Sequence, residues 1–312
     1  MDKALHISAT PHIHSGRSTA SIMRDVLIAL APATIAGTVI FGLRSLLVAL
    51  VCVVSCVLFE GICNLLAKKD QTIGDLSAAV TGLLLALNLP ANIPIWQCVL
   101  GSAFAIIVVK FLFGGIGCNL VNPAITARVF MLVSFGSMAN QAMPIIGKEV
   151  DAVSSATPLA LIEKGETPAT LDLFLGISGG AIGETCAAAL LLGLIYLLVR
   201  RIITWHIPVT YIASVFLLSF IYNGFDAMGA LALTLSGGLF IGAIFMATDY
   251  TTSPATASGK ILFGLGAGLL TFAIRHFGSY PEGVSFAILF MNILTPYIEK
   301  LCARKVFGGV KA

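Results

Sequence analysis

Ten apolar runs follow one another along the sequence, separated only by short polar breaks. About 20 apolar residues in an α-helix cross the hydrocarbon core of a bilayer, and most of these runs come close to that length. Charged residues make up 11% of the 312 residues, too few to cover the surface of a soluble protein of this size. The sequence therefore predicts an all-α polytopic membrane protein and excludes a soluble enzyme. The predicted spans are 24–43, 45–66, 76–89, 94–112, 122–138, 176–199, 205–222, 228–247, 258–275 and 282–299.

Lysine and arginine gather on one side of these spans, which predicts the orientation. Thirteen of the 18 basic residues fall in the two termini and in alternate breaks, four fall on the other side, and Arg128 lies within a span. Because cytoplasmic loops collect lysine and arginine, we expect both termini in the cytoplasm and the long loop 139–171 outside. The four basic residues expected outside are Arg44, Lys148, Lys164 and Arg275.

An internal repeat emerges when the chain is aligned with itself so that Gly82 falls on Gly242 and Ala127 on Ala287. This offset corresponds to five spans, so the sequence predicts two five-helix halves of opposite orientation. Inverted repeats place functional groups where the halves meet, near the membrane midplane. The expected divisions are a cytoplasmic N-terminal segment 1–23, a first repeat 24–138, an extracytoplasmic loop 139–171, a second repeat 172–299 and a cytoplasmic tail 300–312.

The seven cysteines form no CxxC pair and no spacing typical of zinc or iron–sulfur ligation. Cys52, Cys56 and Cys63 share one face of a predicted helix, where packing explains them better than ligation. The histidines within residues 6–14 have no cysteine or carboxylate beside them, so a surface for a partner is favoured over a metal site. We expect neither a metal centre nor a disulfide framework.

The predicted outer loop carries the sequence Asp151-Ala-Val-Ser154-Ser155-Ala156-Thr157 ahead of a Pro-Leu pair. It resembles the acceptor sequence of flavin transferases, Asp-x-x-(Ser/Thr)-Gly-Ala-Thr, which receives FMN in phosphoester linkage on the final threonine. The Thr157 hydroxyl would accept the phosphate, and the small neighbours Ser155 and Ala156 leave the backbone accessible. Ser155 stands where the pattern usually has glycine. The alternative interpretation is a polar turn whose hydroxyls cap the next segment.

Further motifs extend the likeness along almost the whole chain. They are Ser8-x-x-Pro11-His12, Gly114-Gly-x-Gly-x-Asn119-x-x-Asn122-Pro-Ala124, Gly183-Glu184-Thr185 and Phe245-Met-Ala-Thr-Asp249-Tyr. With these motifs, the sequence resembles the family of membrane proteins that includes the D subunit of the Rnf ion-translocating ferredoxin:NAD+ oxidoreductase. The B subunit of the sodium-pumping NADH:quinone reductase is similar, but usually has a longer N-terminal extension, which favours the Rnf branch.

The resemblance implies a cofactor, partners and a location. It implies covalent FMN on Thr157 and leaves room for a second, noncovalent flavin such as riboflavin. The implied partners are the A, B, C, E and G subunits of the Rnf complex, and a flavin transferase that works outside the cytoplasm. The chain would be an electron-transfer subunit of a redox-driven Na+ or H+ pump in the prokaryotic cytoplasmic membrane. Its tethered flavin would exchange electrons with the flavin of the G subunit, between the ferredoxin and NAD+ branches.

Polar residues near the breaks between spans are candidates for an ion path. A carboxylate near hydrocarbon is costly and is therefore a functional candidate. The glycine-rich segment 114–124 is either a tight turn or a re-entrant segment that lines an ion or flavin site. Asp249 either has such a role or caps the following helix. The candidates are Asn119, Asn122, Glu184 and Asp249.

Two further features concern packing. Arg128 lies within a predicted span, where it either is a functional candidate like the buried carboxylates or only pairs with a carboxylate in the bundle. Gly264, Gly266 and Gly268 lie in another span, where small residues let helices approach closely.

Two other functions stay open from the sequence. The first is the B subunit of the quinone reductase, which differs in its partner subunits. The second is a passive channel or facilitator, because ammonium and urea facilitators also have an inverted five-plus-five layout. A passive pore has no need of the motif that ends at Thr157, so this motif favours the redox function.

Overall fold

The computed structural model describes residues 18–139, 144, 158–163, 169–278 and 283–303, and these residues are helical apart from their connections. The flavin motif 151–157, the N-terminal segment up to residue 17 and the tail from 304 lie outside the described residues. The helices are α1 (Thr19–Phe41), α2 (Leu43–Leu66), α3 (Ser77–Leu87), α4 (Ile95–Ala103, continued by π-turns Phe104–Phe111), α5 (Pro123–Ser134), α6 (Pro158–Glu163), α7 (Thr170–Leu175), α8 (Ala187–Val199), α9 (His206–Tyr222), α10 (Ala227–Leu235), α11 (Leu239–Ile241, continued by π-turns Gly242–Met246), α12 (Ala257–Phe277) and α13 (Val284–Leu301).

The all-helical prediction is confirmed for the described residues, and each predicted span contains a helix. In this part of the chain, α1, α2, α12 and α13 are long and apolar enough to cross a membrane alone. The α10–α11 pair, bent by 66°, is a fifth candidate, and the other apolar helices are shorter. These features are those of a polytopic membrane protein whose middle helices are broken.

The predicted span 176–199 differs most from the structure, because its first part is not helical. Helix α8 begins at Ala187, and residues 181–185 are buried as irregular chain. The backbone N–H of Gly183 donates to Leu87 O at 2.7 Å, and that of Ile182 to Leu89 O at 3.1 Å. A Cβ on Gly183 would lie 2.6 Å from Leu87 Cβ, so only glycine permits this approach. Several glycines in an otherwise apolar run make helix unfavourable here.

The helices pack closely where glycines remove the side chain. In the first part of the chain α2 packs on α3 and α4, and in the second α9 packs on α10 and α12, while α1 packs on α8 and α5 on α13. A Cβ on Gly264 would meet Thr210 Oγ1, and one on Gly268 would meet Ser214 Oγ, so the predicted close packing of α12 is confirmed. Cys52, Cys56 and Cys63 are buried on α2, in agreement with the prediction that they are packing residues.

Two arginines stabilise the breaks that follow α3 and α10. Arg44 donates from Nε to Ala91 O at 3.0 Å, and Arg275 donates to Leu233 O and Ser236 O at 2.7 and 3.0 Å. Carbonyls at the end of a helix need donors, above all in an apolar interior. Arg275, expected in an outer loop, is instead buried in the last turn of α12. The reason is this capping of α10, which a count of charges does not reveal.

The packing predicts opposite effects for the same substitution at two glycines. A Cβ on Gly82 would lie 2.7 Å from Cys52 O and 2.8 Å from Val53 Cα, whereas a Cβ on Gly74 has no atom within 4 Å. Glycine to alanine inside a helix ordinarily stabilises by about 1 kcal/mol. Gly82→Ala should instead destabilise by about 1–3 kcal/mol, because backbone must move. Thermal unfolding of the purified chain in detergent measures this, with Gly74→Ala as control; equal midpoints for the two variants would refute the packing.

Candidate functional site

A buried ion pair links α5 to the irregular segment before α8. Arg128 Nη2 lies 2.5 Å from Glu184 Oε1, and both side chains are less than 5% exposed, at 4% and 3%. Arg128 Nη1 donates to Asn88 Oδ1 at the end of α3. A Cβ on Gly238 would lie 2.8 Å from Glu184 Oε1, so this glycine leaves space for the carboxylate. The prediction that Arg128 pairs with a carboxylate is confirmed, and its partner is the ion-path candidate Glu184.

Asparagine side chains join the same region to the second part of the chain. Asn88 Nδ2 donates to Leu84 O at 2.7 Å and lies 3.7 Å from Met246 Sδ. Asn122 Nδ2 donates to Met246 O at 3.3 Å. With its amide oriented to satisfy both neighbours, Asn292 donates to Thr252 O and accepts from Asn122 N, each at 3.2 Å. The end of α3, the start of α5 and the π-turns after α11 therefore meet through buried amides.

A cavity of about 370 Å³ opens beside these breaks, and we call it the large cavity. Its walls come from α1, α3, the loop before α5, the end of α8 and residues 245–251. Most of the lining is apolar, with a few converging polar groups, which is the composition of small-molecule sites. The polar lining residues are Thr19, Ser77, Thr81, Lys110, Asn119, Asn122, Thr248, Asp249, Tyr250 and Thr251.

The two predicted asparagines have different roles at this cavity. Asn122 is the N-cap of α5, since its Oδ1 accepts from the backbone N–H of Ala124 at 3.0 Å and of Ile125 at 3.3 Å. The Asn122 side-chain oxygen therefore already accepts two hydrogen bonds within the protein. Asn119 Oδ1 is buried and has no hydrogen-bond partner among the described residues. Positive φ angles at Gly114, Gly115 and Gly117, between 87° and 115°, form the turn that brings this oxygen to the cavity.

Asp249 lies at the cavity wall, in the loop after the π-turns. The N-cap of α12 is Thr256, so the prediction that Asp249 caps the following helix is wrong. Its Oδ2 instead accepts from Thr251 Oγ1 at 3.0 Å and from Thr252 Oγ1 at 3.3 Å. Burial raises the pKa of this carboxyl above its ordinary value, although the threonine hydrogen bonds oppose the shift. Asp249 is thus a carboxyl group with a raised pKa at the wall of the large cavity.

A second buried ion pair borders the large cavity. Lys110 Nζ lies 2.6 Å from Glu60 Oε1 and donates to Ser77 Oγ, also at 2.6 Å. Thr72 Oγ1 donates to the same Glu60 oxygen at 3.0 Å. Lys110, counted from the sequence as a cytoplasmic loop residue, is therefore a buried residue of the π-turns. The rule that marks intramembrane charges as functional candidates would have found it, since it lies within a predicted span.

A smaller cavity of about 220 Å³ is lined in part by α6, the helix that follows the sequence-predicted flavin motif along the chain, and we call it the small cavity. It is lined by Leu159, Ile162, Tyr222, Asn223, Leu233, Arg275 and His276. Helix α6 begins at Pro158, the residue after Thr157, and both Pro158 and Leu159 are buried. Asp151, Ser154, Ser155, Ala156 and Thr157 themselves lie outside the described residues. Pro158, the first residue of α6, is the described residue that follows the motif directly along the chain.

The four ion-path candidates are therefore divided between two places. Asn119, Asn122 and Asp249 line the large cavity. Glu184 does not line it and pairs with Arg128. Asn88 was not identified from the sequence as a partner of Arg128. The available signal was the segment Asn88-Leu-Pro, which ends the short apolar run 76–89.

The ion pair predicts a stability effect that depends on burial. Arg128→Met should lower the free energy of unfolding by about 3–5 kcal/mol, because it leaves the Glu184 carboxylate buried without this countercharge. The double variant Arg128→Met/Glu184→Gln should recover part of the loss. Lys260→Met is the control, because Lys260 donates to the Thr204 hydroxyl at an exposed site, and it should cost much less. Chemical denaturation in micelles measures the differences; an Arg128→Met chain as stable as Lys260→Met would contradict the assignment.

Comparison with known proteins gives the family. A model of the NQR2, RnfD, RnfE family matches residues 6–308. The D subunit of the Na+-translocating ferredoxin:NAD+ oxidoreductase complex of Acetobacterium woodii is 46% identical, over 98% of this chain and 96% of its own length. The D subunit of the proton-translocating complex of Clostridium ljungdahlii is 38% identical, over 97% and 96%. The chain therefore belongs to the NQR2, RnfD, RnfE family.

Proposed function

We propose that this chain is the electron-carrying membrane subunit of an ion-translocating ferredoxin:NAD+ oxidoreductase of the Rnf type, with FMN covalently bound to Thr157. The observation that carries the proposal is the acceptor motif Asp151–Thr157 in a chain 46% identical to the D subunit of such a complex. The A, B, C, E and G subunits of that complex, and a flavin transferase, are the proposed partners.

The proposed architecture is ten spans in two inverted halves, with both termini cytoplasmic and the flavin loop outside. Helices that the repeat aligns pack in matching ways: α2 contacts α3 and α4, while α9 contacts α11 with its π-turns and α12. Arg44 caps the break that follows α3, and Arg275 caps the end of α10. Short and broken helices are typical of transporters with inverted repeats.

The motif residues have distinct proposed roles in flavin attachment. Thr157 supplies the hydroxyl that becomes the phosphoester, while Asp151 and Ser154 are read by the transferase. Ser155 and Ala156 are small enough to leave that hydroxyl accessible. The bound flavin supplies one- and two-electron redox chemistry, and the protein supplies position and electrostatics. Pro158 begins a helix whose first residues are buried, which supports a fixed attachment point.

The large cavity is the proposed site of the second, noncovalent flavin. Its volume of about 370 Å³ lies in the range of small-molecule sites. The apolar walls suit a flat aromatic ring. The Asn119 oxygen, which has no partner in the described part of the chain, can accept a hydrogen bond from a ring N–H or a ribityl hydroxyl. Lys110 and Asp249 line the same space and can hold charge or a proton beside it. Asn119, Asn122 and Asp249 would thus border both the flavin and the path of the coupling ion.

The coupling ion, Na+ or H+, is proposed to pass between the halves, where Arg128 and Glu184 meet. A fixed ion pair in that position opposes passive flow, and redox-linked movement of the halves would be needed to open it. The pair therefore favours a coupled pump over the passive channel. The quinone-reductase subunit is the second candidate, because the family takes in NQR2 as well as RnfD.

The covalent flavin predicts a mass and a fluorescence signature. The purified, denatured chain should show flavin fluorescence in a gel, and the peptide containing Thr157 should carry the mass of FMN joined with loss of water. Thr157→Ala should abolish both, whereas Thr170→Ala, a threonine outside the motif, should abolish neither. Retention of covalent flavin by Thr157→Ala would overturn the assignment. In that variant, flavin released on denaturation reports the noncovalent site.

A further inference from the structure

We propose that the small cavity is the docking site for the isoalloxazine ring of the flavin on Thr157. The inference rests on the proposed function, and it assigns a place and contacts to a ring that the motif alone leaves undefined. Three observations carry it: the position of the cavity along the chain, its aromatic wall and its buried cation.

The first observation is proximity set by covalent connection. Leu159 lines the cavity, and Thr157 is separated from it by Pro158 alone. The attachment point of the FMN is therefore two residues from the cavity wall along the chain. Leu159 is held against the α10–α11 break, since a Cβ on Gly237 would lie 2.9 Å from Leu159 Cδ1. The phosphate and ribityl chain of the FMN would span from Thr157 to the ring, and such a tether gives a high effective concentration, so weak contacts suffice for docking.

The second observation is an aromatic wall suited to a flat ring. The Tyr222 and His276 rings lie 4.3 Å apart between centroids, and the Phe272 ring lies 4.5 Å from that of His276. Tyr222 is 56% exposed, so a large part of the ring is open to a stacking partner. Stacked aromatic rings gain energy beyond the area that they bury. Tyr222 ends α9 and His276 lies in the last turn of α12, which brings the rings to the same end of the bundle.

The third observation is the charge at the base of the cavity. Arg275 is 8% exposed, and its bonds to Leu233 O and Ser236 O fix its guanidinium there. A reduced flavin bears negative charge around N1 and the C2 carbonyl, and a buried cation favours that charge. Asn223 adds an amide that can bond to the polar edge of the ring.

The volume limits how much of the ring enters. At about 220 Å³ the small cavity is below the usual range for drug-sized ligands. Arg275 and Asn223 would therefore hold the polar pyrimidine edge of the isoalloxazine, while Tyr222 would stack on the part of the ring that stays near the surface.

The test uses the purified full chain in nanodiscs and two properties of its covalent flavin. The emission of the native chain is divided by its emission after denaturation. The emission of a Thr157→Ala sample, which reports only noncovalent flavin, is first subtracted as background. A tyrosine stacked on the ring quenches emission by donating an electron to the excited state. Tyr222→Leu should therefore raise native emission severalfold and lower its anisotropy. Tyr222→Phe should keep the anisotropy high because stacking persists, and Tyr297→Leu, an exposed tyrosine on α13, should change neither.

The reduction potential supplies a second readout for the charge. Arg275→Gln should shift the potential of the covalent flavin to more negative values, and Arg275→Lys should leave it closer to that of the parent chain. Because Arg275 also caps α10, Asn223→Ala serves as a second variant, and loss of its hydrogen bond to the ring should lower the anisotropy of the native emission.

The outcomes separate the two proposals. Full FMN occupancy of Thr157 with unchanged emission and anisotropy in Tyr222→Leu and Asn223→Ala would overturn the docking site and leave the covalent attachment standing. The same result would assign Tyr222 to anchoring at the membrane interface. Absence of FMN from Thr157 in the parent chain would overturn the proposed function itself.

Discussion

A charge buried among apolar helices has to be paired inside the protein, and the contacts of Arg128 follow from this constraint. Its guanidinium binds Glu184 and Asn88, so it holds together α5, the end of α3 and the irregular segment before α8. The irregular segment is held against α3 by backbone bonds from Ile182 and Gly183. Removing a buried countercharge costs several kcal/mol, so this junction contributes substantially to the stability of the fold. The breaks in the middle helices are stable because such contacts satisfy the groups that the breaks expose.

The same breaks create the two cavities. The large cavity forms where the turn at 114–124 and residues 245–251 leave the helical bundle, and it collects Lys110, Asn119 and Asp249. The small cavity forms where α6, α9, α10 and α12 end near one another. Under the two proposals, one flavin would be tethered at the small cavity on the outer side and another would lie in the large cavity towards the cytoplasm. Electron transfer between them would then run beside the Arg128–Glu184 pair that joins the halves.

The sequence predicted the helical class, and the predicted spans each contain a helix, because long apolar runs in a chain with 11% charge leave few alternatives. It did not predict that 176–186 is irregular, since hydropathy averages over the glycines that break the helix there. It placed Arg275 and Lys110 in loops, although both are buried on helical turns where they satisfy a carbonyl or a carboxylate. Such pairings depend on residues distant in sequence, Leu233 and Glu60, and charge counts carry no information about them. For Arg128 the sequence did point to a carboxylate partner, because a charge within a span requires one whatever the fold, and the same argument applied to Lys110 would have indicated its pairing too.

Under the proposed function, electron flow through a covalent flavin on this chain drives ion movement across the membrane. The most direct measurement is ion uptake into inverted membrane vesicles that contain the intact complex, supplied with reduced ferredoxin and NAD+. Uptake of Na+ or H+ should accompany NADH formation, and both should stop in a complex whose chain carries Thr157→Ala. Ion uptake at the parent rate in that complex, or uptake that proceeds without ferredoxin oxidation, would contradict the claim.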